Sequence, residues 1–274
     1  MIAVAEYRRQ NQSLMEEYEN RVRNWLSGKG NPELANKIPF FRDGIATPEV
    51  WFQAGNDFRP MIILKEVSLG INEVCELEQF LNLWGHPKYF DFIENPFDDL
   101  KIGTFTQWQR IARLVKGLEE IHYGASDCDY YKYNFSFQPG GALYAGDIEG
   151  YKTVNPQRTA NPIYNGIVDR MAVIEIKKVG AGQTVNSELS LATGHYADHI
   201  EPFSDLLCRQ IELINPTVII CLGREWGNCT SHLLKEIKEN TGDRLWIDGY
   251  HHTRSSNLNF YENPLNVYKE FIKK

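Results

Sequence analysis

Four short segments of this 274-residue chain carry carboxylates, cations or imidazoles, and each lies at or just past the end of a strand-like run. Lys65-Glu66-Val67-Ser68-Leu69-Gly70 follows Met61 to Leu64, and the stretch from Glu175 to Gly182, with Lys177 and Lys178, closes the strand-like run Met171 to Ile176. Gly223-Arg224-Glu225 follows Val218 to Leu222, and Tyr250-His251-His252-Thr253-Arg254-Ser255 follows Arg244 to Ile247. Glu66 and Glu175 are carboxylates able to hold water or accept a proton, and His251 sits in a loop rich in hydrogen-bond donors. Each also has an ordinary structural alternative. A carboxylate such as Glu66 at a strand end can cap the next helix or pair with Lys65. Glu175 can be an interior acid paired with Lys177 or Lys178, and His251 a hydrogen-bonded structural histidine.

Two further patterns carry less. His195-Tyr196-Ala197-Asp198-His199 spaces two histidines one helical turn apart, but it lacks the glutamate of the HExxH motif and a third ligand, so no metal is expected. Gly180-Ala181-Gly182 follows an apolar run as a dinucleotide fingerprint would, yet Val185 stands where the third glycine belongs. The following NSELSLATG has no helical periodicity, and no nicotinamide, flavin or other cofactor is expected. The five cysteines, Cys75, Cys128, Cys208, Cys221 and Cys229, form no CxxC pair and read as reduced and mainly structural.

The apolar runs before the four segments read as strands buried on both faces. Helical patterns separate them. Ile200, Phe203, Leu207, Ile211 and Ile214 make a helix ended by Pro216, and Gly223 introduces another bearing Trp226, Leu233, Leu234 and Ile237. Residues 72–84 and a segment capped near Thr104, with Trp108, Ile111, Leu114, Leu118 and Ile121, are also helical, the latter stopped by Gly124. An amphipathic helix over about 5–27 precedes the first strand, and a short helical turn is expected near Pro48. Strands alternating with helices imply a mainly parallel sheet with helices on both faces, and ligands gather at the carboxyl ends of such strands. Residues of about 125–165, rich in Tyr, Asn and Gly, read as a loop-rich insertion available for substrate contact. No linker divides the chain, so a single domain spanning 1–274 is expected.

An apolar fraction of 42% and a charged fraction of 24% exclude disordered and low-complexity classes. No apolar run reaches the roughly 20 residues of a bilayer span, and MIAVAEYRRQNQ carries charge where a signal peptide is apolar, which predicts a cytoplasmic protein without a membrane partner. Thirty-six acids against 29 bases give a net charge of −7, so any polyanion must be held by a local basic face.

In their order along the chain the four segments resemble motifs of the uracil-DNA glycosylase superfamily. There a strand ends in a motif such as GEAPG or GQDPY, a middle strand ends near an Asn, a helix leads into a P-x-x-I-x-x-L-G strand, and the last strand ends in a His-Pro-Ser-type loop. MIILKEVSLGINE is similar to the first, MAVIEIKKVGAG to the second, EPFSDLLCRQIELINPTVIICLGREW to the third and WIDGYHHTRSS to the last, with Glu66 and His251 on motif positions. The likeness covers about residues 60–84 and 170–256. It departs from the pattern at five positions. Val67 falls where a water-activating Asp is frequent, Ser68 on the next Pro, and Glu175 on the base-reading Asn. His252 and Thr253 replace the Pro and Ser. The paired cysteines of an iron–sulfur branch are missing, so no cluster is expected.

The resemblance implies a three-layer α/β/α fold and hydrolysis of the N-glycosidic bond of a flipped uracil or related base in DNA. In that reading Glu66 and His251 are catalytic, as water holder and as donor to the base oxygen. Val67, Ser68 and Glu175 line the base pocket, one of Trp84, Tyr89 or Phe90 stacks on the base, and Lys178, Thr253 and Arg254 meet the DNA backbone. The partner is DNA or a nucleotide, the chain acts as a monomer, and the alternative is a diverged nucleic-acid or nucleotide binder that keeps the pocket without turnover.

Overall fold

The computed structural model describes residues 4–66, 111, 114–125, 170–180, 188–224, 234–250 and 258–273. Its centre is a five-stranded sheet: β1 (Gly44–Ile45), β2 (Pro60–Glu66), β3 (Ala172–Lys177), β4 (Val218–Arg224) and β5 (Leu245–Tyr250), in the spatial order β1-β3-β2-β4-β5. β2, β3, β4 and β5 run parallel, with Met61 opposite both Ala172 and Ile219, and Ile219 opposite Trp246. β1 is antiparallel to β3, pairing Gly44 with Val173 and Ile45 with Ala172. The sheet is therefore mixed. The two-residue edge strand lies in an irregular Pro- and Gly-containing stretch, where no alternation marks it.

The helices are α1 (Val4–Gly28), α2 (Pro32–Lys37), α3 (Pro48–Trp51), α4 (residues 114–122), α5 (Glu188–Thr193), α6 (Ile200–Ile214), α7 (Lys235–Asn240) and α8 (Asn263–Ile272). Strand alternation divides the core into two clusters. Met61, Ile63, Ile174, Ile176, Ile219 and Cys221 pack with α1 and α6 through Tyr18, Val22, Phe203, Leu207 and Ile211. Ile62, Leu64, Val173, Ile220, Leu222 and Ile247 pack with Leu114, Leu118, Ile121 and the region of Phe260, Leu265 and Tyr268. Helices thus cover both faces, as near-continuous apolar strands require. No described helix is long and apolar enough to cross a membrane.

Local signals explain several element ends. Asn215 closes α6 in the left-handed region at φ 50°, its amide donating to the Ile211 carbonyl, and Pro216 bars continuation. Gly124 follows α4 at φ 98°. Two expectations fail in detail. The third parallel strand runs on through Gly223 to Arg224 instead of yielding to a helix at Gly223, and ELSLAT forms α5 although its pattern is not periodic. Six residues make less than two turns, too short for a 3.6-residue period to register. The segments 72–84 and 226–233, the Thr104 cap and all but the first residue of the 125–165 insertion lie outside the described residues.

Candidate functional site

Numbered in chain order, the parallel strands lie 2-1-3-4, so the connection leaving β2 passes to one side and the one leaving β3 returns to the other. The chain reverses its direction of winding between β2 and β4. In open α/β sheets the crevice outside the carboxyl ends of the strands at such a reversal is the usual ligand position. Glu66 closes β2 and stands opposite Lys177 of β3, while Arg224 closes β4 opposite Tyr250 of β5. All four chemistry-bearing segments of the sequence therefore leave the same edge of the sheet.

Around that edge the described part of the connection from β3 to α6 touches the ends of β2 and β3. Lys177 is fully buried and its Nζ donates to the Gly194 carbonyl at 2.7 Å. Lys65 Nζ lies 4.9 Å from the centre of the Tyr196 ring, a cation–π contact that ties β2 to this connection. The histidine pair does not converge on one point. His195 Nδ1 accepts from the Ala197 amide while Asp198 accepts from the His195 amide, a reciprocal cap for the turn Tyr196–His199. His199 is buried against Trp25 and donates from Nε2 to the Thr193 carbonyl at 2.9 Å. Burial pulls its pKa down to about 4, aided by the charges of Lys177 and Lys29 against the opposing Thr193 hydrogen bond. No cluster of three metal-ligating side chains occurs among the described residues.

Lys178 requires a correction. The sequence reading aims its ammonium at the DNA backbone, but the side chain is fully buried and its Nζ donates to both oxygens of Asp43, at 2.6 and 2.7 Å. The same Asp43 carboxylate accepts from the Glu175 amide at 2.6 Å and from Gln210 Nε2 at 2.7 Å, and Lys178 also donates to the Glu175 carbonyl at 3.0 Å. Burial lowers the Lys178 pKa, and Asp43 acts against that shift. An ion pair this deep persists because its remaining donors and acceptors are satisfied by neighbours. It clamps the irregular strand before β1 to the end of β3 and to α6. Its ammonium is spent there and does not reach a phosphate.

Glu175 is itself buried, on β3 opposite Leu64. Glu66 is at the predicted position at the end of β2. His251, Val67, Ser68, Tyr89, Phe90, Thr253 and Arg254, with Trp84 and His252, lie outside the described residues. The sequence reading missed Asp43 and Gln210, because neither follows the carboxyl end of an expected strand and a single Asp before Gly44 looks like ordinary turn chemistry. The one available signal was Gln210, a polar residue on the apolar stripe of α6 beside Phe203, Leu207 and Ile211.

No family model, curated protein or solved structure matches this chain.

Proposed function

We propose that the chain hydrolyses the N-glycosidic bond of a flipped uracil or related base in DNA, in a three-layer fold of the uracil-DNA glycosylase type. The observation that carries this reading is the 2-1-3-4 order of the parallel strands. It directs the ends of β2 and β4 to one crevice, in the chain order in which the resembling motifs occur.

Departure of a base leaves cationic character on the sugar and negative charge on the base, so a donor at the base oxygen and a group that places water are both needed. His251 supplies the donor and Glu66 holds the water. Glu175 stands on the base-reading strand, where a carboxyl oxygen accepts from the single N3–H of uracil. Tyr89 or Phe90 stacks on the base, Val67 and Ser68 complete the pocket, and Thr253 and Arg254 meet phosphate.

The second reading is a diverged binder of nucleic acid or nucleotide without turnover. Val67 at the position of the water-activating Asp favours it, since an apolar side chain cannot orient water. Both readings are tested by incubating folded protein with single- and double-stranded oligonucleotides containing uracil, hypoxanthine or a thymine mismatch, and scoring abasic sites. The glycosylase reading expects cleavage that falls about 10- to 1000-fold in His251→Ala, with unchanged thermal stability. Binding without abasic sites on every substrate selects the second reading, and neither binding nor cleavage rejects both.

A further inference from the structure

The opposite, amino edge of the sheet carries two arginines that the crevice does not use. Arg59 immediately precedes β2 and Arg244 immediately precedes β5. With Pro60 opposite Val218 and Val218 opposite Leu245, the two stand level, one on each side of β4. Their backbones are roughly 10 Å apart, two inter-strand spacings, within joint reach of two long side chains. Thr217 lies between them. Its Oγ1 accepts from the Arg59 amide at 2.9 Å, which leaves its hydroxyl proton available for donation.

Among the described residues neither guanidinium has an acid to neutralise it. Both side chains are half-buried, and the Nε of each is buried with no hydrogen-bond partner among the described residues. Arg244 uses one nitrogen, Nη2, on Asn215 Oδ1 at 3.3 Å. The guanidinium of Arg59 makes no hydrogen bond to any described residue. Capping of α6 does not account for them, because the Ile211 carbonyl is taken by the Asn215 amide and the Ile214 carbonyl by Trp51 Nε1. The two charges act on each other as well: Arg59 is held below the ordinary arginine range, by burial first and by Arg244 second.

Two like charges partly withdrawn from water, without a counter-charge, are unfavourable in the fold alone. A tetrahedral oxyanion between them reverses the sign of that interaction, since each guanidinium presents a planar fork of N–H donors that matches paired oxygens. We propose that Arg59, Arg244 and Thr217 form a binding site for a phosphate group, on the sheet edge remote from the candidate crevice. The phosphate is that of a small molecule or of a nucleic-acid backbone, and the site is independent of the glycosylase reading.

The test is calorimetric titration of the full chain, in chloride buffer, with inorganic phosphate and separately with a short single-stranded oligonucleotide. Wild type is compared with Arg59→Met, Arg244→Met and the double variant. Phosphate binding should weaken at least tenfold in each single variant and vanish in the double. If the oligonucleotide's salt slope also falls by about two contacts in the double variant, the phosphate is that of a backbone. An unchanged slope assigns the site to a small phosphate.

Melting temperature supplies a second readout. In phosphate-free buffer of low ionic strength the single variants should melt no lower than wild type, because a like-charge repulsion has been removed, and phosphate should raise the melting point of wild type alone. Absent phosphate binding by wild type, together with an oligonucleotide affinity identical in the double variant, overturns the proposal. So does a lower melting point in both single variants with no effect of phosphate on wild type, since the arginines would then serve the fold.

Discussion

His199 shows how one buried side chain imposes a pH dependence. Its Nε2–H is committed to the Thr193 carbonyl, while Nδ1 is buried with no partner among the described residues, so burial favours the neutral ring. An unfolded histidine titrates near 6.5, whereas burial holds this one down to about 4. The unfolded chain therefore binds the extra proton first as pH falls. The contribution of His199 is fully present above about pH 6.5 and drains away between there and about pH 4, by a total on the order of 3 kcal/mol. Urea unfolding at pH 7 and pH 4.5 measures it. In His199→Gln, which keeps a donor for Thr193, that part of the acid sensitivity should disappear, and an equal loss in both proteins would place the sensitive group elsewhere. Nothing in the HYADH spacing announced this role. Two histidines four apart look the same whether they meet at a metal or, as here, one caps a turn in solvent while the other packs beneath Trp25.

At the level of elements, the Asp43–Lys178 pair and its hydrogen bonds join α6, β3 and the segment leading to β1. Lys178→Ala leaves the Asp43 carboxylate buried without its counter-charge, and such a change costs about 3–5 kcal/mol. Chemical denaturation should show that loss, and a change below about 1 kcal/mol would mean that water enters and replaces the ammonium. What the sequence made legible at this scale follows from side-chain shape. The runs MIIL, AVI and VIICL are continuous, apolar and rich in branched residues, which suits strands covered on both faces, and α6 shows helical spacing for four turns with an Asn-Pro stop. The strand end carrying Glu66 followed directly. β1 and the Asp43 clamp did not, because a two-residue edge strand has no period to read and the partners of Asp43 lie about 130 to 170 residues further along the chain. For the same reason Lys178 read as a surface cation. A lysine just past a strand end is normally solvated, and only the distant Asp43 draws this one inward.

Over the whole molecule, a net charge of −7 leaves long-range attraction for nucleic acid unfavourable, so any DNA contact depends on small basic places such as the amino-edge arginine pair. The strand order has a further consequence for how the chain comes into being. β2 is central in the parallel set, yet of the four parallel strands it leaves the ribosome first. Its neighbours β3 and β4 follow about 110 and 160 residues later. At roughly 5–20 residues per second, the apolar Met61–Leu64 stretch waits roughly 5–20 seconds for β3 and longer for β4. Sheet formation dominated by such distant pairings is also intrinsically slow. In pulse-labelled hydrogen exchange during refolding, the amides of residues 61–64 should gain protection together with those of 172–175 and 219–221. Earlier protection of 61–64 would mean that some nearer segment shelters them first. Without such a shelter, the nascent strand is an exposed sticky segment for much of synthesis, the kind of surface that holdase chaperones bind.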